Sequence, residues 1–501
     1  MIAFFFGVDK VLGILRIIIV TRQFQLTAEY SAFNIANNIP DLLFMLISGG
    51  ALAMAFIPVL TETLTLQGRE QAWELFSRIA NLAFLTTAGI GIITAALAGP
   101  IVRSQFGVAP GFTYEQQNLV IELMRLNLIA TVIFSISGLV MAGLQANQHF
   151  LFPALAPIFY NLGQLFGAVI LAPKTGYSLG PLHLPAFGMG VQGLVYGVII
   201  GAALHLLIQV PGLVRYDFHW TPRIGINTAP VQQVLKLLGP RVITVLLIQL
   251  TFIVRDNLAS RLESSAVSAL TLGWTIMQIP ETLIGTAIGI AILPTLSELI
   301  ARDDREAFQA TLQRAMQVIV AITIPVAVVM MFGLRPLLVT AFNLDAAGTD
   351  LLLWTSRGFL AGLAGQCLKE VAVRSFYARR DALTPVLTAA INLGVYIVLG
   401  VLVFRSAGAP GISLVDSIAF TSEAILLLVL MNRRMNLRLA PQVSLLRALL
   451  AAVIGGGLVY LIFLSPFYER QPFIVAVLAM GAGGLAALWP IRKEIRILLK
   501  L

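Results

Sequence analysis

Charged side chains stand inside long apolar stretches at a few places in this chain of 501 residues. The first stretch contains Asp9, Lys10, Arg16 and Arg22. Asp9 and Arg16, seven residues apart, align on one face of a helix, whereas Lys10 and Arg16, six apart, share a face only approximately. A charge at the bilayer centre costs roughly 2.5–3.5 kcal/mol on insertion scales, so such residues usually pair or line a polar cavity. The alternative to a cavity is that Asp9 and Lys10 neutralise each other while Arg16 or Arg22 reaches the membrane surface.

Polar residues in the next stretch follow a helical spacing. Asn34, Asn38 and Asp41 are four and then three residues apart, which predicts one polar stripe on a helix. Such a stripe either lines a cavity or makes hydrogen bonds to neighbouring helices.

Two further cations are candidates for binding a ligand. Arg255 precedes Asp256 at the end of an apolar stretch, where an ion pair in the membrane interface is the simpler interpretation. Lys369 and Glu370 are adjacent, so their side chains point about 100° apart on a helix and cannot simply pair. We therefore expect Lys369 to face a cavity.

Glycine and proline residues mark candidate hinges in two related stretches. The first has the Gly49-Gly50 pair and Pro58, and the second has Pro280 and Pro294. A proline inside a helix leaves one backbone carbonyl without its amide partner, which favours a kink.

No pattern of residues indicates catalysis, a metal site or a cofactor. Cys367 is the one cysteine, the four histidines are scattered, and the basic residues are dispersed among loops without the clustering that nucleic-acid binders show. Gly188, Gly190 and Gly193 fit a GxGxxG pattern, but they open an apolar segment with no preceding strand, so we expect close helix packing and no phosphate loop. An enzyme is the least supported class of function.

The composition places these residues in a membrane protein. Apolar residues make up 58% of the chain and charged residues 11%, against about 25% charged in soluble domains. We predict an all-α polytopic membrane protein with about 14 transmembrane helices. The spans are expected near residues 2–22, 29–60, 74–101, 117–145, 151–172, 187–213, 231–258, 266–300, 312–333, 350–376, 382–404, 411–432, 443–464 and 472–490.

Basic residues concentrate in alternate loops, which predicts the orientation. Arginine pairs and triplets such as Arg379-Arg380 and Arg433-Arg434 fall on the same side as the basic tail. The positive-inside rule then puts both termini in the cytoplasm, in the cytoplasmic membrane. The opening residues have neither a basic stretch nor a small-residue cleavage motif, and the short start of the first segment would fit an upstream stretch missing from this chain.

The chain also repeats itself. Residues 49–64 (GGALAMAFIPVLTETL) match residues 285–300 (GTAIGIAILPTLSELI), and Pro153 with Asn161-Leu162-Gly163 matches Pro385 with Asn392-Leu393-Gly394. Two matches in the same order at nearly one offset indicate duplication of a six-helix unit with parallel orientation. We predict an N-lobe over 1–215, a C-lobe over 229–436 and two additional helices within 441–501.

Several motifs resemble the MurJ/MviN family of lipid II flippases, within the MOP exporter superfamily. They are VLGILR at 11–16, SAFNIANNIPDLLFMLISGGALAMAFIPVL at 31–60, LGP at 238–240, MQIPETLIGTAIGIAILPTLSE at 277–298 and FYARRDALTP at 376–385. The resemblance covers nearly the whole chain, including the last two helices. It implies two lobes around a cationic cavity that passes the sugar-pyrophosphate head of a polyprenyl-linked peptidoglycan precursor by alternating access. The lipid tail would stay in the bilayer.

The resemblance assigns site residues and exposes departures from the family pattern. It implies that Lys10, Arg16 and Lys369 are cavity cations. Phe44 and Thr275 stand where the family has arginines, and Trp274 and Ser31 stand where it has acids. Together with Arg22, Asn38, Asp41 and Arg255, the three cations form our predicted substrate site.

The leading functional hypothesis is thus lipid II flipping in peptidoglycan biosynthesis, which supports cell wall biogenesis and cell shape. A flippase for another polyprenyl-linked oligosaccharide, or a cation-coupled exporter, is the first alternative. A transport-inactive membrane scaffold for cell-wall proteins is the second. The expected partners are the lipid-linked sugar pyrophosphate, membrane lipid, a coupling ion and cell-wall synthesis proteins.

Overall fold

The computed structural model describes residues 2–46, 51–180, 182–435 and 442–498. Most of these residues are helical, and in one short hairpin Ser178–Leu179 pairs antiparallel with Leu182–His183. The predicted all-α class is confirmed. The chain divides into two compact units, Met1–Ser264 and Ser265–Leu501.

The first unit contains eleven α-helices within its described residues, with a π-helical turn at Gly167–Leu171 after the eighth. They are α1 Ile2–Phe24, α2 Ala28–Ala36, α3 Asn38–Phe44, α4 Ala51–Leu66, α5 Arg69–Ala96, α6 Ala98–Arg103, α7 Tyr114–Ala146, α8 Leu151–Phe166, α9 Val191–Leu207, α10 Val210–Arg215 and α11 Ala229–Ala259.

The second unit contains ten α-helices in the part of the chain that the structure covers, with a π-helical turn at Thr282–Thr286 after the first. They are α12 Ala266–Glu281, α13 Ala287–Ala301, α14 Arg305–Phe342, α15 Ala346–Ala361, α16 Leu363–Ala378, α17 Leu383–Met435, α18 Gln442–Phe463, α19 Pro466–Arg470, α20 Pro472–Leu488 and α21 Arg492–Leu498.

Nine of the described helical segments are long and apolar enough to cross a membrane, or ten if the bent pair α20–α21 is one span. Helix α17 runs for 53 residues, about 80 Å at 1.5 Å per residue, which far exceeds a bilayer's hydrocarbon thickness. Its backbone leaves the helical conformation at Gly408, where φ is 58° and ψ is −150°. The two spans predicted over 382–404 and 411–432 lie on either side of this break. The count of 14 spans stays a prediction.

Local sequence signals explain several helix starts. Thr113 accepts a hydrogen bond from the Gln116 amide, while the Gln116 side chain accepts one from the Thr113 amide, which forms a capping box at the start of α7. Asp304 and Asp345 accept hydrogen bonds from the first-turn amides of α14 and α15.

Small residues bring α8 and α9 into close contact. A Cβ atom at Gly163 would lie 2.3 Å from the Gly201 Cα, and one at Gly167 would lie 2.6 Å from the Gly197 Cα. In the GxGxxG pattern, Gly188 and Gly190 take positive φ values in the loop, whereas Gly193 packs against the backbone of Ala172. The prediction that this pattern serves helix packing is confirmed for Gly193.

The FYARRDALTP motif at 376–385 contains the start of α17 in the second unit. Asp381 accepts hydrogen bonds from the Thr384 amide at 3.0 Å and the Thr384 hydroxyl at 2.7 Å, and it pairs with Arg434 at 2.8 Å. Burial alone would raise the pKa of Asp381, but these bonds together with the Arg434 and Arg379 charges lower it. The carboxylate therefore stays charged and ties the two ends of α17 together.

Helices α18 and α20 pack against α14 within the second unit. Val329 of α14, Val459 of α18 and Ala479 of α20 form one buried cluster. A Cβ atom at Gly455 would lie 2.8 Å from the Gly483 carbonyl oxygen, so glycine lets α18 and α20 approach closely. The two helices outside the predicted repeat thus join the second unit through α14.

We predict that Gly163→Ala lowers the thermal midpoint of the detergent-solubilised protein by several degrees. The added methyl group would meet the backbone of α9, and overpacking of this kind costs about 1–3 kcal/mol. Gly89→Ala in α5 is the matched control, because nothing lies within 4 Å of its Cβ position. Equal midpoints for the two variants would contradict the close packing of α8 and α9.

Candidate functional site

Two charged residues of helix α1 bind side chains of α8 in the first unit. Asp9 accepts a hydrogen bond from Asn161 Nδ2 at 2.8 Å, and Arg16 Nη1 donates to Gln164 Oε1. Asp9 and Arg16 therefore share the face that their seven-residue spacing predicts. Gln164 was not among the predicted site residues, although Asn161 and Gln164 lie three apart in an apolar run and so share one helix face.

The other two cations of α1 are exposed. Lys10 Nζ lies 3.7 Å from Asp9 Oδ2, and the Lys10 side chain is 66% exposed. The pairing of Asp9 with Lys10 is therefore present, alongside the bond from Asp9 to Asn161. Arg22 lies at the end of α1, where its carbonyl oxygen accepts a hydrogen bond from Gln25 Nε2 at 3.0 Å.

A buried ion pair in α11 is linked to α3 by a hydrogen bond. Arg255 and Asp256 are 5% and 2% exposed, and Arg255 Nε lies 3.2 Å from Asp256 Oδ1. Asn38 Nδ2 donates to Asp256 Oδ2 at 2.8 Å, and the Arg255 guanidinium lies 4.8 Å from the centre of the Phe252 ring. The expected pair of Arg255 and Asp256 is present near the end of α11, and both side chains are enclosed by protein.

The predicted polar stripe is divided by a break in the helix. Asn34 lies in α2, whereas Asn38 and Asp41 lie in α3, and Asn37 interrupts the helix between them. Asn37 Oδ1 accepts a hydrogen bond from Asn127 Nδ2 of α7 at 2.6 Å. Asp41 is exposed, and the Arg16 charge acts on it electrostatically. The structure therefore brings Arg16 and Asp41 into one neighbourhood, with Asn38 in the adjacent ion-pair cluster.

Lys369 lies among carboxylates in the second unit. Its Nζ is 4.2 Å from the centre of the Phe420 ring, and its charge acts on Glu281 and Glu423. Glu370 pairs with Arg374 at 2.7 Å, as the 100° separation of Lys369 and Glu370 implies. Glu423 was not among the predicted site residues, although an acid inside the apolar run 411–432 is a signal for one.

Amide and hydroxyl groups hold two of these carboxylates. Glu423 Oε2 accepts from Asn392 Nδ2 at 2.9 Å, and Glu281 accepts from the Thr286 hydroxyl at 3.0 Å. Both glutamates are buried.

The predicted hinge prolines lie inside helices. Pro58 is in α4, Pro280 is in α12, and Pro294 is in α13. The π-helical turn at Thr282–Thr286 follows Pro280 directly, which is the local irregularity expected where a proline breaks the hydrogen-bond ladder. Gly49 and Gly50 lie outside the described residues.

Comparison with known proteins decides the family. The family model described as "Lipid II flippase MurJ" matches residues 22–480. The chain belongs to the MurJ family. The lipid II flippase MurJ of Burkholderia cenocepacia is 30% identical over 401 residues, which cover 78% of this chain and 74% of the relative. The probable lipid II flippase MurJ of Vibrio cholerae is 26% identical, over 84% and 79% of the two chains.

Solved structures show the same fold. The structure titled "Lipid II flippase MurJ, inward closed conformation" superposes with a TM-score of 0.80 at 20% identity and covers 99% of both chains. An inward-facing MATE family multidrug transporter of the MOP superfamily gives a TM-score of 0.68 at 14% identity and covers 85% of this chain and 94% of its own. This MurJ family member is thus a multi-pass protein of the inner membrane.

Apolar packing occupies the positions where this MurJ family member departs from the family pattern. The Phe44 ring lies 5.0 Å from the Phe134 ring, and Trp274 lies 5.6 Å from Phe359. The Thr275 hydroxyl donates to the Thr271 carbonyl oxygen of its own helix. Aromatic packing is thus found at Phe44 and Trp274, and a hydrogen bond within the helix is found at Thr275.

We predict that Asp256→Ala destabilises the protein by about 3–5 kcal/mol, because it leaves the buried Arg255 without its carboxylate. Glu298→Ala is the matched control, since Glu298 and Arg302 form an exposed pair worth less than about 1 kcal/mol. Thermal midpoints and the monodisperse fraction after solubilisation measure the difference. Equal thermal midpoints for Asp256→Ala and Glu298→Ala would show that the cluster of Asn38, Arg255 and Asp256 is not important for stability.

Proposed function

We propose that this protein moves lipid II across the cytoplasmic membrane by alternating access and catalyses no chemical step. The family match over residues 22–480 carries this proposal, with the MurJ relatives at up to 30% identity supporting it. The polar residues inside its spanning helices give a pyrophosphate head group hydrogen-bonding partners that hydrocarbon lacks.

We propose Lys10, Arg16, Arg22, Asn38, Asp41 and Arg255 of the first unit, and Lys369 of the second, as the substrate-contacting residues. Arg16 is the best supported of them, because it is half-buried, held by Gln164 and close to Asp41. Asp256 balances the charge of Arg255 and accepts a hydrogen bond from Asn38. We therefore propose that Arg255 positions Asn38 through Asp256. Pro58, Pro280 and Pro294, with Gly49 and Gly50, are the proposed hinges.

The proposal includes the arrangement of the chain. Residues 1–215 and 229–436 are the duplicated halves, 441–501 supplies two additional helices, and both termini face the cytoplasm. We also propose a coupling ion, since the membrane potential supplies about 2.3 kcal/mol per 100 mV for each charge that crosses the membrane. Cell-wall synthesis proteins are the proposed receivers of the flipped precursor.

Complementation tests the function. We expect the chain to restore growth to a bacterial strain depleted of its lipid II flippase, and to restore lipid II exposure on the outer face of the membrane. Normal membrane expression with neither growth nor exposure would contradict the lipid II assignment.

In the same assay, we predict that Lys10→Ala, Arg16→Ala and Lys369→Ala each reduce lipid II exposure by roughly tenfold without lowering protein level. The expected loss follows from hydrogen bonds to charged groups, worth about 1.5–3 kcal/mol each. Lys174→Ala, in an exposed loop, is the control and should behave as wild type. Unchanged exposure in all three variants would move the site elsewhere.

Cysteine labelling tests the orientation. Cys367 is buried and should not react in the folded protein. We expect an impermeant maleimide to label Lys174→Cys in intact cells and to label His219→Cys only after permeabilisation, since the predicted orientation puts these exposed loops on opposite sides. The reverse pattern would put the termini outside.

A further inference from the structure

Helix α8 presents two buried amides to α1. Asn161 and Gln164 are 7% and 9% exposed. Asn161 Nδ2 donates to Asp9 Oδ1, and Gln164 Oε1 accepts from Arg16 Nη1. The Asn161 amide nitrogen therefore already donates to a carboxylate of the protein, whereas Gln164, among the described residues, uses its acceptor oxygen and not its donor nitrogen.

The chemistry of arginine fixes which way the Gln164 amide points. A guanidinium can only donate hydrogen bonds, so the atom that faces Arg16 must be the carbonyl oxygen. The amide nitrogen Nε2 then points away from Arg16. It is buried and has no hydrogen-bond partner among the described residues. A buried donor of this kind is costly unless an acceptor reaches it.

Arg16 also has N–H donors beyond the one that binds Gln164. Its guanidinium carries five N–H groups, and the Gln164 oxygen is the acceptor that the structure gives it. No carboxylate within the described ranges lies within 4 Å of it, although its charge acts on Asp41, Tyr30 and Tyr160. Arg16 and Gln164 are thus adjacent groups that both have N–H donors beyond the bond between them, an arrangement complementary to an anion.

We propose that Arg16 and Gln164 together bind one phosphate group, with Gln164 Nε2 donating directly to a phosphate oxygen. This rests on the proposed function, which makes the pyrophosphate of lipid II the expected source. The phosphate of an anionic membrane lipid has the same chemistry. The competing role for Gln164 is to hold Arg16 in place without touching the ligand.

A double-mutant cycle separates these roles. Gln164→Met keeps the size of the side chain and removes the donor. A direct donor predicts about tenfold weaker binding of a short-chain lipid II analogue, in both the wild-type and the Arg16→Met backgrounds. A residue that acts only through Arg16 predicts a loss in the wild-type background and none in the Arg16→Met background. That second result would overturn the proposal.

Two controls make the cycle decisive. Gln117→Met changes another buried glutamine of the first unit, whose Nε2 donates to the Ala109 carbonyl oxygen at 3.0 Å, and it should bind the analogue as wild type. If Gln164→Met does not fold, Gln164→Leu takes its place, and thermal midpoints are recorded for every variant.

Dioctanoylphosphatidylglycerol is the second probe. Dependence on Gln164 with the lipid II analogue supports the phosphate site with lipid II as the source, and dependence with phosphatidylglycerol alone supports it with a membrane lipid as the source. Binding that does not depend on Gln164 with either probe would overturn the proposal. Failure of the wild-type chain to bind the analogue at all would contradict the proposed function. The Gln164 donor would then be judged from the phosphatidylglycerol arm.

Discussion

The cost of placing polar groups in hydrocarbon governs this structure. Several charges inside the helices have a partner that offsets that cost, and the partners differ in kind. Arg255 pairs with a carboxylate, Asp9 binds an amide, and Lys369 lies over an aromatic ring among acids. Because an unpaired charge would be costly, the pairs decide which helices must be neighbours.

The same constraint separates structural charges from those available to a ligand. Asp256 receives bonds from both Arg255 and Asn38, so this cluster is balanced internally. Arg16 is held by a neutral oxygen, so this hydrogen bond brings no opposite charge to it. The balanced pair of Arg255 and Asp256 stabilises the packing of the first unit. Arg16, with its further N–H donors, is the cation suited to binding an anionic ligand.

Apolar runs predict the helices of this chain well, because lipid selects for composition over about 20 residues. The repeat and the proline motifs are enough to indicate the family. The spacing of Asn34, Asn38 and Asp41 hides the break at Asn37, since it stays helical across it, although Pro40 in the first turn of α3 is a local signal for the break. Gln164 was missed for a related reason: its partner Arg16 lies 148 residues away, and only the fold brings them together.

Transport of lipid II by the purified protein tests the central claim most directly. Proteoliposomes would carry lipid II labelled with a fluorophore that dithionite quenches from outside, and a labelled phospholipid would serve as the control. The account predicts that the protein makes the inner-leaflet lipid II accessible to dithionite while the phospholipid stays protected. Equal protection of lipid II with and without the protein, in vesicles that contain folded chain, would contradict it.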